Sequence, residues 1–202
     1  MDITEIRNAV ENKTARLAVI GLGYVGLPVA AMFADAGFDV KGVEIIPDRV
    51  EKINNGISPI EGDEPGLAEL LARVIQTGRL RATRDYEDLR DRDVILIDVE
   101  TPVDDRNIPR YEALRSALKS LGPVLKKGAL VIVESTVAPG TINKFVLPLL
   151  EEHSKTKLND GFHLSFSRNF FDKPKNMLSG WPWRNLTALQ ALDAVRRGLQ
   201  EQ

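Results

Sequence analysis

The chain has 202 residues, of which 43% are hydrophobic and 28% charged, with a formal net charge of −2 and no cysteine. That length can bury a core of its own, and the near-neutral balance removes the electrostatic reason to expect nucleic acid or an anionic membrane as partner. Disulfides, thiolate metal sites and a thiol nucleophile are excluded. With neither a signal-peptide segment nor a bilayer-length apolar run, the expected location is cytoplasmic.

Residues Met1 to Thr14 are polar, with Ile3, Ile6 and Val10 at helical spacing; they read either as a short leading helix packed on the domain or as a frayed terminus. The apolar run Leu17-Ala18-Val19-Ile20 then enters Gly21-Leu22-Gly23-Tyr24-Val25-Gly26, followed by a helical pattern from Leu27 to about Ala36 that Gly37 stops. Pro28 falls in the first turn, where its missing N–H costs little. Strand, glycines, helix is the pattern of a dinucleotide-binding turn. Gly21 allows the tight turn, Gly23 lets the backbone approach a pyrophosphate, and Gly26 lets the helix pack on the strand. The phosphates would sit on the free N–H groups of the new helix.

The strand Phe38-Asp39-Val40-Lys41-Gly42-Val43 ends at Glu44, an acid about 20 residues after the glycines, as such a site requires. A carboxylate there accepts both ribose hydroxyls and repels a 2′-phosphate, which favours NAD over NADP. The competing reading is a nucleotide-free α/β protein with Glu44 merely solvated. Pro47 starts a helix that ends near Asn54-Asn55-Gly56. On it, Arg49 either stacks on or caps the adenine side or is a surface arginine.

A turn-rich loop over 57–66 precedes a helix carrying Leu67, Leu70, Leu71, Val74 and Ile75, which stops at Gly78. Leu80 to Thr83 reads as a short strand and Tyr86 to Leu89 as a helical turn. Asp93-Val94-Ile95-Leu96-Ile97-Asp98-Val99 reads as a central strand buried on both faces. It ends at Glu100-Thr101-Pro102-Val103-Asp104, and a helix follows over Tyr111 to Leu121. The strand Ala129 to Val133 leads into Glu134-Ser135-Thr136-Val137-Ala138-Pro139-Gly140-Thr141. A helix with Phe145, Val146, Leu149 and Leu150 and a last strand over Phe162 to Phe166 complete the pattern. Alternating strands and helices imply a doubly wound, mostly parallel α/β sheet of Rossmann type over residues 1–167, with ligands bound beyond the strand C-terminal ends. Those ends carry the glycine turn, Glu44, Thr101 and Ser135-Thr136. His153 and His163 have no carboxylate or cysteine partner in view and read as structural.

At this point the sequence resembles the UDP-glucose/GDP-mannose dehydrogenases, at their N-terminal NAD-binding domain. The matching residues are Gly-Leu-Gly-Tyr-Val-Gly-Leu-Pro at 21–28, Gly42-Val43-Glu44, Glu64-Pro65-Gly66-Leu67, the Glu-Thr-Pro-Val-Asp loop at 100–104 and the Glu-Ser-Thr loop at 134–141. The acetamido-sugar branch, acting on UDP-N-acetylmannosamine or UDP-N-acetylglucosamine, looks closest, judged from Val-Glu-Thr-Pro-Val-Asp. The resemblance implies oxidation of the C6 hydroxyl of a UDP-sugar to a carboxylate with NAD, through a cysteine that captures the intermediate aldehyde. It implies cofactor contacts at Gly21, Gly23, Tyr24, Val25, Gly26, Glu44 and Thr101, and places Thr136 near the nicotinamide and a catalytic water. Glu134 reads as a water-positioning carboxylate or, more safely, as a strand-end surface acid. The family pairs as homodimers through a central helix not found here.

The resemblance breaks at Ser167-Arg168-Asn169, where the family has a Ser-Pro-Glu segment. Residues 168–202 therefore read as a divergent tail, frame-shifted or partly disordered. Losing one cytosine turns codons for Ser-Pro-Glu into Ser-Arg-Asn. The alternative is a native tail in which Trp181 and Trp183 pack on the sheet or a partner and Leu186 to Gln202 forms a helix. The chain alone is expected to bind NAD but to lack the substrate half and the catalytic cysteine. Two other readings are a non-catalytic NAD-responsive binding module and, more weakly, an NAD-dependent hydroxy-acid dehydrogenase.

Overall fold

The structure, a computed structural model, describes residues 1–62 and 64–166. The expectations for the tail, from Ser167 through Trp181 and Trp183 to the helix over 186–202, lie outside the described residues.

Twelve elements carry the fold among the described residues: α1 (Ile3–Glu11), β1 (Arg16–Ile20), α2 (Gly26–Asp35), β2 (Asp39–Val43), α3 (Pro47–Asn54), α4 (Leu67–Gln76), β3 (Leu80–Thr83), β4 (Val94–Ile97), α5 (Glu112–Leu121), β5 (Ala129–Val133), α6 (Leu147–Ser154) and β6 (Phe162–Phe166). The six strands form one all-parallel sheet in the order β3-β2-β1-β4-β5-β6. The order reverses between β1 and β4, which is the switch point where a dinucleotide lies in such sheets.

The central strands are buried on both faces, which is why they read as unbroken apolar runs. Leu17, Val19, Val94, Leu96, Leu130 and Ile132 point into the core under α1, α2 and α4. Ala18, Ile20, Ile95, Ile97, Val131 and Val133 point into the opposite core, under α5 and α6. The leading segment is a helix, not a frayed end. Asp2 caps α1 by accepting from the Thr4 and Glu5 N–H groups, the Glu5 side chain accepts in return from the Asp2 N–H, and Ile6 and Val10 are buried.

Two expected boundaries are corrected. The strand expected over Asp93 to Val99 pairs only over Val94–Ile97. Its neighbours stop at the same level, with Ile20 and Val133 opposite Ile97, and beyond it the Asp98 N–H adds one bond, to the Ile20 carbonyl. The helix carrying Phe145 begins as a π-helical turn over Ile142–Val146 before α6 takes over at Leu147, next to Pro148, which has no N–H to donate.

Candidate functional site

The strand register builds the site. Ile20 pairs with Val43 and with Ile97, and Ile97 pairs with Val133. The next residues of the four strands, Gly21, Glu44, Asp98 and Glu134, therefore line up along one sheet end. Backbone hydrogen bonds carry the alignment one step past the strands: the Gly21 N–H donates to Val43, Asp98 to Ile20 and Glu134 to Ile97, at 2.8–3.0 Å.

The glycine turn over 21–26 crosses this edge into α2. Gly21 has a φ of +96°, and a Cβ on it would stand 2.6 Å from the Asp98 carbonyl oxygen. A Cβ on Gly26 would land on the Gly21 carbonyl oxygen. Both glycines are demanded by the packing of the turn itself. Gly23 differs: a Cβ there would meet nothing within 4 Å among the described residues. Val25 is the N-cap of α2 and makes no side-chain capping hydrogen bond. Tyr24 is 46% exposed and its hydroxyl donates to the Glu61 carbonyl, tying the 57–66 loop to the turn. Burial and the nearby Glu64 carboxylate raise the Tyr24 pKa above its ordinary value.

Glu44 is buried, not solvated. Its Oε1 accepts from the Ile46 N–H at 3.1 Å, and its Oε2 stands 3.6 Å from the Arg49 Nε. Arg49 also donates through Nη2 to the Leu22 carbonyl at 2.9 Å. The arginine thus joins the acid at the end of β2 to the glycine turn and is neither free on the surface nor extended away from it. Beside them Ile45 is exposed, an apolar surface that strand periodicity did not single out.

The loops after β4 and β5 are laced together. Thr101 Oγ1 donates to the Thr136 carbonyl at 2.6 Å, and Ser135 Oγ donates to the Val99 carbonyl at 2.7 Å. The Tyr111 hydroxyl accepts from the Ala138 N–H at 3.0 Å and meets Thr141 Oγ1 at 3.2 Å. Thr136 itself is exposed, so its hydroxyl stays available. Glu134 overturns the expectation of a surface acid: it is 7% exposed, because its strand-end position lies beneath these loops. It shares a side-chain hydrogen bond with Asp98, and burial pushes its pKa up to about 7. Asp98, which sequence reading passed over, is raised well above the ordinary carboxylate range by burial and by Glu134. The one signal for it was an acid directly after a wholly apolar strand.

His163 sits within β6, and His153 packs against Gly122 at the end of α5. Among the described residues, no group of three or more His, Asp or Glu could hold a metal ion, and no helix is long and apolar enough to cross a membrane.

A sequence model of the UDP-glucose/GDP-mannose dehydrogenase family, NAD binding domain, matches residues 15–178. The UDP-N-acetyl-D-mannosamine dehydrogenase of Pyrococcus horikoshii is 43% identical over 129 residues, 64% of this chain and 30% of that protein. The GDP-mannose 6-dehydrogenase of Pseudomonas savastanoi pv. phaseolicola is 39% identical over 159 residues, 77% of this chain and 36% of that protein. The crystal structure of a ternary complex of GDP-mannose dehydrogenase from Pseudomonas aeruginosa superposes with a TM-score of 0.71 at 35% identity, covering 75% of this chain and 35% of that one. The chain thus spans about a third of the length of these relatives. With a parallel sheet reversing at β1 and β4, a glycine turn at that point and this match over most of its length, the chain belongs to the UDP-glucose/GDP-mannose dehydrogenase family, at the domain that binds NAD.

Proposed function

We propose that this chain is the NAD-receiving portion of a nucleotide-sugar 6-dehydrogenase and that its cleft runs along Gly21–Gly26, Glu44 and the two threonine loops. One observation carries the reading. Gly21 and Gly26 are explained by the fold, but a Cβ on Gly23 would meet nothing within 4 Å among the described residues. A glycine facing open space at the start of a helix is explained by a ligand that needs the backbone N–H groups uncovered, and a pyrophosphate is such a ligand.

In this reading Gly21, Gly23, Tyr24, Val25 and Gly26 border the pyrophosphate. Glu44 takes the adenosine ribose hydroxyls, and Arg49 holds that carboxylate in place. Because β2 takes the adenosine half, the nicotinamide half falls over the ends of β4 to β6. Thr101 there fixes the loop of Thr136, whose exposed hydroxyl can hold a water beside the reacting carbon. NAD supplies the hydride acceptor when bound. The thiol that would capture an aldehyde is absent from the 202 residues, so the expected property of this chain by itself is binding rather than turnover. The UDP-sugar substrate, the homodimer and the cytoplasmic location belong to the same reading, by family likeness.

The test is a thermal melt with NAD and with NADP. Ligand at about 100 times its dissociation constant adds about 2.7 kcal/mol to the folded state, a rise of roughly 5–10 °C for a domain of this size. A rise with NAD that NADP does not produce and that Glu44→Ala abolishes supports the reading. A cooperative melt that neither nucleotide moves would sink it.

A further inference from the structure

The buried acids at the ends of β4 and β5 are not used by the reading above. Asp98 follows Leu96 by two residues and Glu134 follows Ile132 by two. Both of those apolar residues face the α1, α2 and α4 layer, so both acids leave the sheet on that face. There they meet in a side-chain hydrogen bond. Asp98 is half-buried as a residue, yet its Oδ2 is sealed from solvent with no hydrogen-bond partner among the described residues.

Two carboxyl groups can hydrogen-bond only if one carries a proton. A sealed, unpartnered oxygen is tolerated far better on a neutral acid than on a carboxylate. The geometry therefore places the proton on Asp98 and makes Glu134 the acceptor that bears the charge. The backbone carbonyl of Asp98 lies under Gly21, and its Cβ would stand 3.1 Å from a Cβ on Gly26, so Asp98 adjoins the glycine turn while Glu134 lies one strand further along the sheet end, after β5.

Glu44 and Arg49 face each other, the Tyr24 hydroxyl turns to the 57–66 loop, and Glu100 after β4 is exposed. From β6 comes the buried Ser165 hydroxyl, and the Thr101 and Ser135 hydroxyls bond backbone carbonyls. Burial and the partner acid act on each carboxyl.

We propose that Asp98 and Glu134 form a one-proton acid pair whose remaining negative charge, under the nicotinamide half of the cleft, favours the positively charged oxidised nicotinamide over the neutral reduced ring. This inference rests on the NAD reading. The charge is pH-dependent. Glu134 titrates at about 7, so the charge is present above that pH and lost below it.

The experiment is calorimetric titration of the protein with NAD⁺ and with NADH at about pH 6 and about pH 8.5, either side of the Glu134 value of about 7. The ratio of NAD⁺ to NADH affinity should rise roughly three- to tenfold with pH, the scale of a partly screened unit charge. Glu134→Gln should hold the ratio at its low-pH value at both pH values. Asp98→Asn keeps a neutral donor for Glu134, so it should leave the change of the ratio with pH in place. A wild-type ratio that does not change with pH, or a Glu134→Gln protein that keeps the change, overturns the proposal while leaving NAD binding intact. No binding of either nucleotide overturns the NAD reading and this inference with it. The wild-type comparison decides by itself if either variant does not fold.

Discussion

The Arg49 guanidinium bridges Glu44 and the Leu22 carbonyl, with Nη2 2.9 Å from the carbonyl oxygen and Nε 3.6 Å from the carboxylate. One side chain from α3 thereby sets the acid at the end of β2 against the glycine turn at the end of β1. Removing it should separate the two halves of the adenosine site. Arg49→Ala is expected to weaken NAD binding roughly tenfold, the size of one charge-assisted hydrogen bond in a partly exposed place. Arg49→Lys keeps the charge, but a single ammonium cannot span both partners, so it should fall between. Fluorescence titration with NAD checks this, and an unchanged dissociation constant in Arg49→Ala would remove the bridge from the site.

The three glycines of the turn should separate cleanly on substitution. Gly26→Ala drives a methyl group into the Gly21 carbonyl and should cost stability, lowering the melting temperature by several degrees. Gly23→Ala meets nothing within 4 Å and should leave the melt nearly unchanged. Its methyl would stand where the pyrophosphate comes closest, so NAD affinity should drop by at least about tenfold. Melts and titrations on the two variants test the contrast. A Gly23→Ala protein that binds NAD normally would leave this glycine without a role.

Much of this was readable in one dimension because the relevant signals are local. The bounds of β3, β5 and β6, the start of α3 at Pro47 and the stop of α2 before Gly37 follow from apolar runs and from residues that restrict or free the backbone. The glycine turn and Glu44 were legible because their spacing encodes one strand–helix–strand unit. The Asp98–Glu134 pair was not. Its members lie on different strands and become neighbours only through the pairing of Ile97 with Val133. Composition alone makes Glu134 a surface acid, and only the lacing of Thr101 to Thr136 and Ser135 to Val99 shows that it is covered. The π-helical turn at Ile142–Val146 likewise has no sequence period to announce it.

That lacing gives a further expectation. Thr101→Val keeps the shape of the side chain but leaves the Thr136 carbonyl without its donor at 2.6 Å. One neutral hydrogen bond contributes about 1 kcal/mol, so the melt should fall by roughly 2–4 °C. The NAD affinity should fall as well, because the Thr136 loop is no longer held. Thr101→Ser keeps the donor and should restore both. Restoration by serine of stability without affinity would show that the threonine methyl group, and not the hydrogen bond, serves the cofactor side.

The raised carboxyl at Glu134 also predicts how stability changes with pH. Its pKa is about 7 in the folded protein against 4.5 for an ordinary glutamate. Between those values the folded chain holds a proton that the unfolded chain has released, so rising pH favours unfolding. The stabilising contribution is full below about 4.5, declines as pH climbs, and is lost once pH passes the folded value near 7. Asp98, raised in the same direction, acts with the same sign. The loss attributable to Glu134 is at most on the order of 3 kcal/mol, from about 1.4 kcal/mol per pKa unit. Glu134→Gln cannot release a proton and should flatten this part of the profile, making the variant relatively more stable above neutrality than at pH 5. Urea midpoints measured at about pH 5, 6, 7 and 8 for both proteins decide the matter. Parallel profiles would mean that Glu134 is ionised in the fold at all four values.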